Sequence, residues 1–119
     1  MERLEREKVM EANVYQVLCM RTIKPGLTNV QLEHHALHGM SSEIGEIHGI
    51  YQKIYQGHDI DDEHLKKEVG DLLWFIAEYC TCHGWSLSDV MQMNIDKLKA
   101  RYPEGFKDEN SLNRKEGDI

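Results

Sequence analysis

Only two prolines interrupt this chain, Pro25 and Pro103, and the sequence between them repeats its apolar residues at intervals of three and four. That pattern confines the segment to amphipathic helices, because proline tolerates neither a helix interior nor a central strand. Four helices fit. The first is expected from about Glu2 to Thr22, with Val9, Ala12, Asn13, Gln16, Val17 and Met20 on one stripe, and Lys24-Pro25-Gly26 breaks it. The second begins at Thr28 or Asn29, both competent caps, and carries Leu37, Met40, Ile44, Ile47, Ile50 and Ile54 inward until Gln56-Gly57-His58. The third opens at Asp61 or Asp62, buries Leu65, Val69, Leu72, Leu73, Ile76 and Cys80, and closes at His83-Gly84. The fourth follows Ser86 and Asp89, which resemble a capping box. It turns Val90, Met91, Met93 or Asn94, Leu98 and Ala100 inward and stops before Tyr102-Pro103.

Strand signals are nearly absent, so the fold class is all-α, a four-helix bundle-like single domain over residues 1–119. From Glu104 to Ile119 the chain is polar and contains glycine, which predicts a tail that stays irregular unless a partner orders it. At 119 residues the domain is near the small end for a self-sufficient core, and one hairpin with two flanking helices leaves apolar surface over. Assembly into a homo-oligomer, a dimer or a tetramer, is the expectation.

Two acidic doublets, Glu43/Glu46 and Glu68/Asp71, lie symmetrically about Gly57. In a helical hairpin turning at Gly57, the i,i+3 spacing puts each doublet on one helix face, and the equal distances put both at one height. Four converging carboxylates repel one another unless cations lie between them, and Mg²⁺ or Mn²⁺ suits an all-oxygen site. An isolated doublet of this kind is by default a solvated face. Here Glu43 lies beside Met40 and Ile44, Glu46 beside Ile47 and Ile50, and Glu68 and Asp71 flank Val69 and Leu72, so both doublets border the apolar stripe. Gly45, Gly49 and Gly70 sit inside the same helices, where each costs roughly 0.5–1 kcal/mol relative to alanine. Close helix approach or room for a ligand would offset that cost.

A formal charge of −7 argues against a nucleic-acid polymer as partner, since phosphate backbones are held by clustered Lys and Arg. A phosphate ester remains possible where a metal lies between it and the carboxylates. Cys19, Cys80 and Cys82 are odd in number and lack zinc-site spacing, which predicts reduced thiols. No membrane partner is expected: residues 1–10 are rich in charge, and the apolar run Leu72 to Cys82 is broken by Glu78 and far short of the ~20 residues of a span. A soluble, cytoplasmic protein is the reading. His34, His35 and His38, or Cys80 with His83, make only weak candidates for a second metal site. Trp74, Phe75 and Tyr79 are expected in the core or at a subunit interface.

The ordered set Tyr15-Gln16, Arg21-Thr22, Ser42 to Ile47, Gln56-Gly57-His58, Glu68 to Trp74 and Asn94 to Phe106 resembles the MazG-like family of all-α nucleoside triphosphate pyrophosphohydrolases, in its small single-domain form. The resemblance covers nearly the whole chain. It implies Mg²⁺-dependent hydrolysis of a nucleoside triphosphate between its α and β phosphates, giving a monophosphate and pyrophosphate. Carried over by position, Glu43, Glu46, Glu68 and Asp71 are the metal ligands, and Glu46 or Glu43 takes the proton of the attacking water. The resemblance further implies substrate contacts from Asn94, Lys97, Arg101 and Tyr102, with Lys53 as another cation for the phosphates. His38, Ser42, His48 and Gly49 depart from the usual pattern near the substrate face, which bears on base preference and leaves the four acids intact.

Two other functions compete. One is a non-catalytic helical interaction module whose acids form a cation-stabilised rim. The other is a di-iron carboxylate bundle, which uses Glu-x-x-His pairs that neither doublet contains.

Overall fold

Thr28 opens the longest helix with a reciprocal cap: its hydroxyl accepts from the Gln31 N–H at 3.2 Å, and Gln31 Oε1 accepts from the Thr28 N–H at 3.0 Å. In the computed structural model, which describes residues 9–119, this helix is α2, Asn29–Ile54. It follows α1, Ala12–Cys19, and a 3₁₀ turn, Met20–Thr22. Helix α3, Asp62–Cys82, is capped by the Asp61 carboxylate, which accepts from the N–H groups of Glu63 and His64. Helix α4, Leu87–Arg101, is capped by Ser86, and a short α5, Asp108–Leu112, lies in the C-terminal segment. No strand occurs among the described residues.

Two glycines close the long helices. Gly57, at φ 90°, lets the His58 N–H return to the Lys53 carbonyl at 3.1 Å, and Gly84, at φ 71°, lets the Trp85 N–H return to Cys80 at 2.9 Å. Both are the 6→1 closures of a helix end whose next residue is left-handed. The first reverses the chain, so α2 and α3 pack as the hairpin that holds the fold together.

Where the hairpin is tightest, Gly39 in α2 lies against the ring of Phe75 in α3, and a Cβ there would overlap the ring. Beside it Ala36 and Ala77 are fully buried, and His35 packs edge-on against Trp74 and Phe75, at ring separations of 6.3 and 5.6 Å. His35 Nδ1 lies 2.8–2.9 Å from both oxygens of Glu78, whose side chain is buried. Buried polar side chains are as a rule hydrogen-bonded, and this pair meets that rule. Gly45, Gly49 and Gly70 have open space where a Cβ would go, so close helix packing within the chain is not their reason.

Helix α1 is attached by polar groups more than by its apolar stripe. Gln16 donates to Thr81 Oγ1 and the Trp85 carbonyl and accepts from the Leu87 N–H at 2.7 Å. Asn13 Oδ1 accepts from the Ser86 hydroxyl and the Ser88 N–H, and Trp74 Nε1 donates to the Cys19 carbonyl and to Thr22 Oγ1. The helix is shorter than the expected span from about Glu2 to Thr22: Val9, Met10 and Glu11 precede it, and the part of that span before Val9 lies outside the described residues.

Several residues expected inward are uncovered. Leu37, Ile44, Val69 and Leu73 on the hairpin remain more than 40% exposed, as does Val17 on α1. Along α4 only Leu87 is buried, while Val90, Met91, Met93, Leu98 and Ala100 are exposed. A radius of gyration of 18.0 Å, against about 13–14 Å for a compact domain of this length, expresses the same openness. The periodicity marks faces that want cover, and one copy of the chain does not cover them.

The tail also differs from expectation. It folds back through α5, and the Arg101 guanidinium donates from Nε and Nη2 to the two oxygens of Asp118 at 2.8 and 2.7 Å. Arg101 closes this loop from the last turn of α4, where the helix dipole favours a cation.

Candidate metal centre

The symmetry about Gly57 survives folding for three of the four acids. Glu43 from α2 and Glu68 and Asp71 from α3 each offer a carboxylate oxygen, and the three oxygens lie within 4.8 Å of one another. Glu43 and Glu68 are half-buried and Asp71 is exposed, which leaves the group open on one side. Glu46 is exposed and not among the three, though its charge acts on Glu43.

Electrostatics show what the group lacks. The Glu43 carboxyl is pushed up to about 7, first by its hydrogen bond to Glu68, then by burial, then by the charges of Glu68, Asp71 and Glu46. At the same time Glu43 Oε2 is buried without a partner. The two observations agree once the proton is considered: two ionised carboxylates hold no donor between them, so their contact is a hydrogen bond only while a proton remains there. Glu43, Glu68 and Asp71 would hold a hard divalent cation in place of that proton, which would satisfy the orphaned oxygen. The residues present therefore fit Mg²⁺ or Mn²⁺, with Glu43, Glu68 and Asp71 as the ligands in reach.

Neighbours hold the acids in place. His64 Nε2 lies 3.1 Å from Glu68 Oε1, one turn back on α3. The sequence reading missed this contact, although its i,i+4 spacing was visible. Tyr15 of α1 donates to the Gly70 carbonyl at 3.3 Å, beside Asp71. Burial, with Cys19 and the Asp71 charge adding to it, pushes the Tyr15 hydroxyl up to about 12, so it remains a donor at neutral pH.

The expected substrate residues lie elsewhere on the chain. Asn94 and Lys97 are exposed on α4, and Arg101 and Tyr102 are half-buried at its end. Helix α4 packs chiefly on α1, so one chain does not lay these residues along the acid-bearing stretch of the hairpin. Lys53 is exposed in the last turn of α2. The weak metal candidates are otherwise engaged: His34 and His38 meet edge to face, His35 holds Glu78, and His83 stacks on Trp85 at 4.4 Å. Among the described residues they join no further group of three ligands. Trp74, Phe75 and Tyr79 are partly buried and pack together with these histidines, and all three cysteines are free. No described helix is long and apolar enough to cross a membrane.

An all-α hairpin bearing paired acidic doublets is the arrangement that the resemblance anticipates. Residues 31–106 match the MazG nucleotide pyrophosphohydrolase domain, and the chain belongs to that family. It is also similar to the Gene 37 protein of Mycobacterium phage L5, 30% identical over 105 residues that cover 81% of this chain and 92% of the phage protein. No solved structure matches it significantly.

Proposed function

We propose that the protein is a divalent-metal-dependent nucleoside triphosphate pyrophosphohydrolase, cleaving NTP or dNTP to the monophosphate and pyrophosphate. The observation that carries this reading is the buried, partnerless oxygen of Glu43 within a three-carboxylate group, in a chain of the MazG family. Glu43, Glu68 and Asp71 hold the metal. When bound, Mg²⁺ supplies charge neutralisation for the phosphate oxygens and a water of lowered pKa.

The protein's own groups do the rest. Glu46 stands outside the ligand group and within electrostatic reach of it, which suits the acceptor of the water proton. His64 and Tyr15 fix the ligand-bearing turns of α3. Asn94 contacts sugar or phosphate, Lys97, Arg101 and Lys53 neutralise phosphate charge, and Tyr102 lies beside the Arg101 guanidinium, 5.8 Å from its ring centre.

Homo-oligomerisation belongs to the same proposal. The uncovered apolar faces of the hairpin and α4 support it, because monomers rarely leave apolar patches of that extent in water. A second copy whose α4 covers the hairpin also brings the cations to the acids. The test is a panel of canonical and modified triphosphates with Mg²⁺, with both products identified. Monophosphate and pyrophosphate, lost on Asp71→Asn, are expected; no turnover of any triphosphate, or diphosphate and inorganic phosphate as products, overturns the reading.

A further inference from the structure

The C-terminal end of α4 and the tail border a half-open cavity of about 460 Å³, and its lining is unusual for so acidic a chain. Lys97 and Arg101 from α4 and Arg114 and Lys115 from the tail meet there, against Glu116 and Asp118. Asp118 is the focus. Its carboxylate takes two parallel hydrogen bonds from Arg101, and the charges of Arg101, Arg114 and Lys97 all act on it, holding its carboxyl below the usual carboxylate range.

Three cations around one oxyanion, with a bidentate guanidinium fork, is the geometry that also receives a phosphate group. The Arg101 side chain is only 9% exposed, so its fork is committed to Asp118 rather than to water. An incoming phosphate must take Arg101 from this carboxylate. A triphosphate carries several negative charges against one, and the cavity leaves space beside the pair.

We propose that the tail is a built-in competitor for the phosphate-binding end of α4: Asp118 occupies Arg101 until a substrate phosphate displaces it, and Arg114 then joins Lys97 and Arg101 around that phosphate. The inference rests on the reading of Lys97 and Arg101 as phosphate contacts. It adds two functions which that reading lacks, a tethered anion that sets apparent affinity and a third cation supplied by the tail. A competitor on the same chain weakens apparent binding by the fraction of molecules in which the site is free, so its removal tightens binding.

The test compares wild type, Asp118→Asn and Arg114→Gln in two assays. Calorimetry with inorganic tripolyphosphate, without metal, reads anion binding alone; steady-state kinetics with the best triphosphate reads KM separately from kcat. Asp118→Asn is expected to tighten tripolyphosphate and lower KM, each about three- to tenfold, and Arg114→Gln to weaken both. If Asp118→Asn changes neither, or weakens both because the carboxylate positions Arg101 for substrate, the proposal is overturned. The two readings fail separately. Tighter tripolyphosphate binding with no turnover of any triphosphate keeps the competitor and sinks the hydrolase; turnover with no response to Asp118→Asn does the reverse.

Discussion

The hairpin and α4 are both amphipathic helical structure, yet they are held in opposite ways. Helices α2 and α3 pack directly on each other, with Gly39 against Phe75 and His35 against Glu78, and their three acids meet within 4.8 Å, with Tyr15 of α1 bonded to the backbone beside Asp71. Helix α4 is fastened at its start by side chains of α1, at its end by Asp118, and along its length it exposes its methionines. The acidic group is thus fixed within the hairpin, while the cations proposed to meet the phosphates sit on an element whose apolar length is uncovered in the single chain. Ligand geometry on the hairpin should tolerate changes in α4, and substrate binding should not.

The largest effect expected is at the acids. Glu43→Gln, Glu68→Gln and Asp71→Asn should each lower turnover on the order of 100-fold or more, because each would remove a proposed ligand of a metal that supplies several kcal/mol of charge stabilisation. Glu46→Gln should lower turnover while leaving metal affinity within a few-fold, as titration calorimetry with Mn²⁺ can show. Equal loss of metal from all four variants would put Glu46 in the ligand set and shrink the contrast drawn here.

Mixing two inactive proteins tests whether the acids and the cations come from different copies. If α4 of one copy serves the hairpin of another, Glu68→Gln mixed after unfolding and refolding with the double variant Lys97→Ala/Arg101→Ala should recover activity. For a dimer the recovery is about a quarter of wild type, since half the dimers are mixed and each has one intact site. Recovery absent despite confirmed mixed dimers means that both halves come from one chain.

Smaller effects follow from the packing. Gly39→Ala should cost about 1–3 kcal/mol, because the Phe75 ring must shift to admit a methyl group, and thermal melting should fall by several degrees. Replacing Gly45 with Ala, where nothing lies within 4 Å, should be neutral or slightly stabilising. The contrast between the two glycines separates packing from composition.

The mildest prediction concerns pH. Between about 4.5 and 7 the folded chain keeps the Glu43 proton that the unfolded chain has released, so the metal-free protein should lose stability as pH rises through that window. Metal must displace the same proton, so Mg²⁺ affinity should rise about tenfold per pH unit up to roughly 7 and then level off. Melting curves with and without Mg²⁺ across this range check both signs; a flat metal-free profile contradicts the shared proton.

The hairpin was readable from residues because its determinants are local: Thr28, Asp61, Gly57 and Gly84 are caps and turns whose chemistry acts within a few positions. The acid cluster was readable because symmetry about Gly57 is a counting argument, although counting could not show that Glu46 stands outside the tightest group. Three things were not readable. Asn13 and Gln16 fall on the apolar stripe of α1 by spacing, yet they serve as polar clamps to the α3–α4 turn, a long-range role that periodicity cannot encode. The tail looked featureless because Arg101 and Asp118 are unremarkable until the chain brings them together. Gly39 went unmarked for a similar reason: its importance lies in Phe75, far along the sequence.

The metal site proposed on the hairpin carboxylates can be tested without knowing the substrate. Titration calorimetry with Mn²⁺ at pH 7.5 on wild type and Asp71→Asn is the direct measurement. Saturable binding to wild type that is lost in Asp71→Asn, with the variant's helical circular dichroism unchanged, is the predicted result. Binding that survives Asp71→Asn unchanged, or a wild-type protein that takes up neither Mn²⁺ nor Mg²⁺, would contradict it.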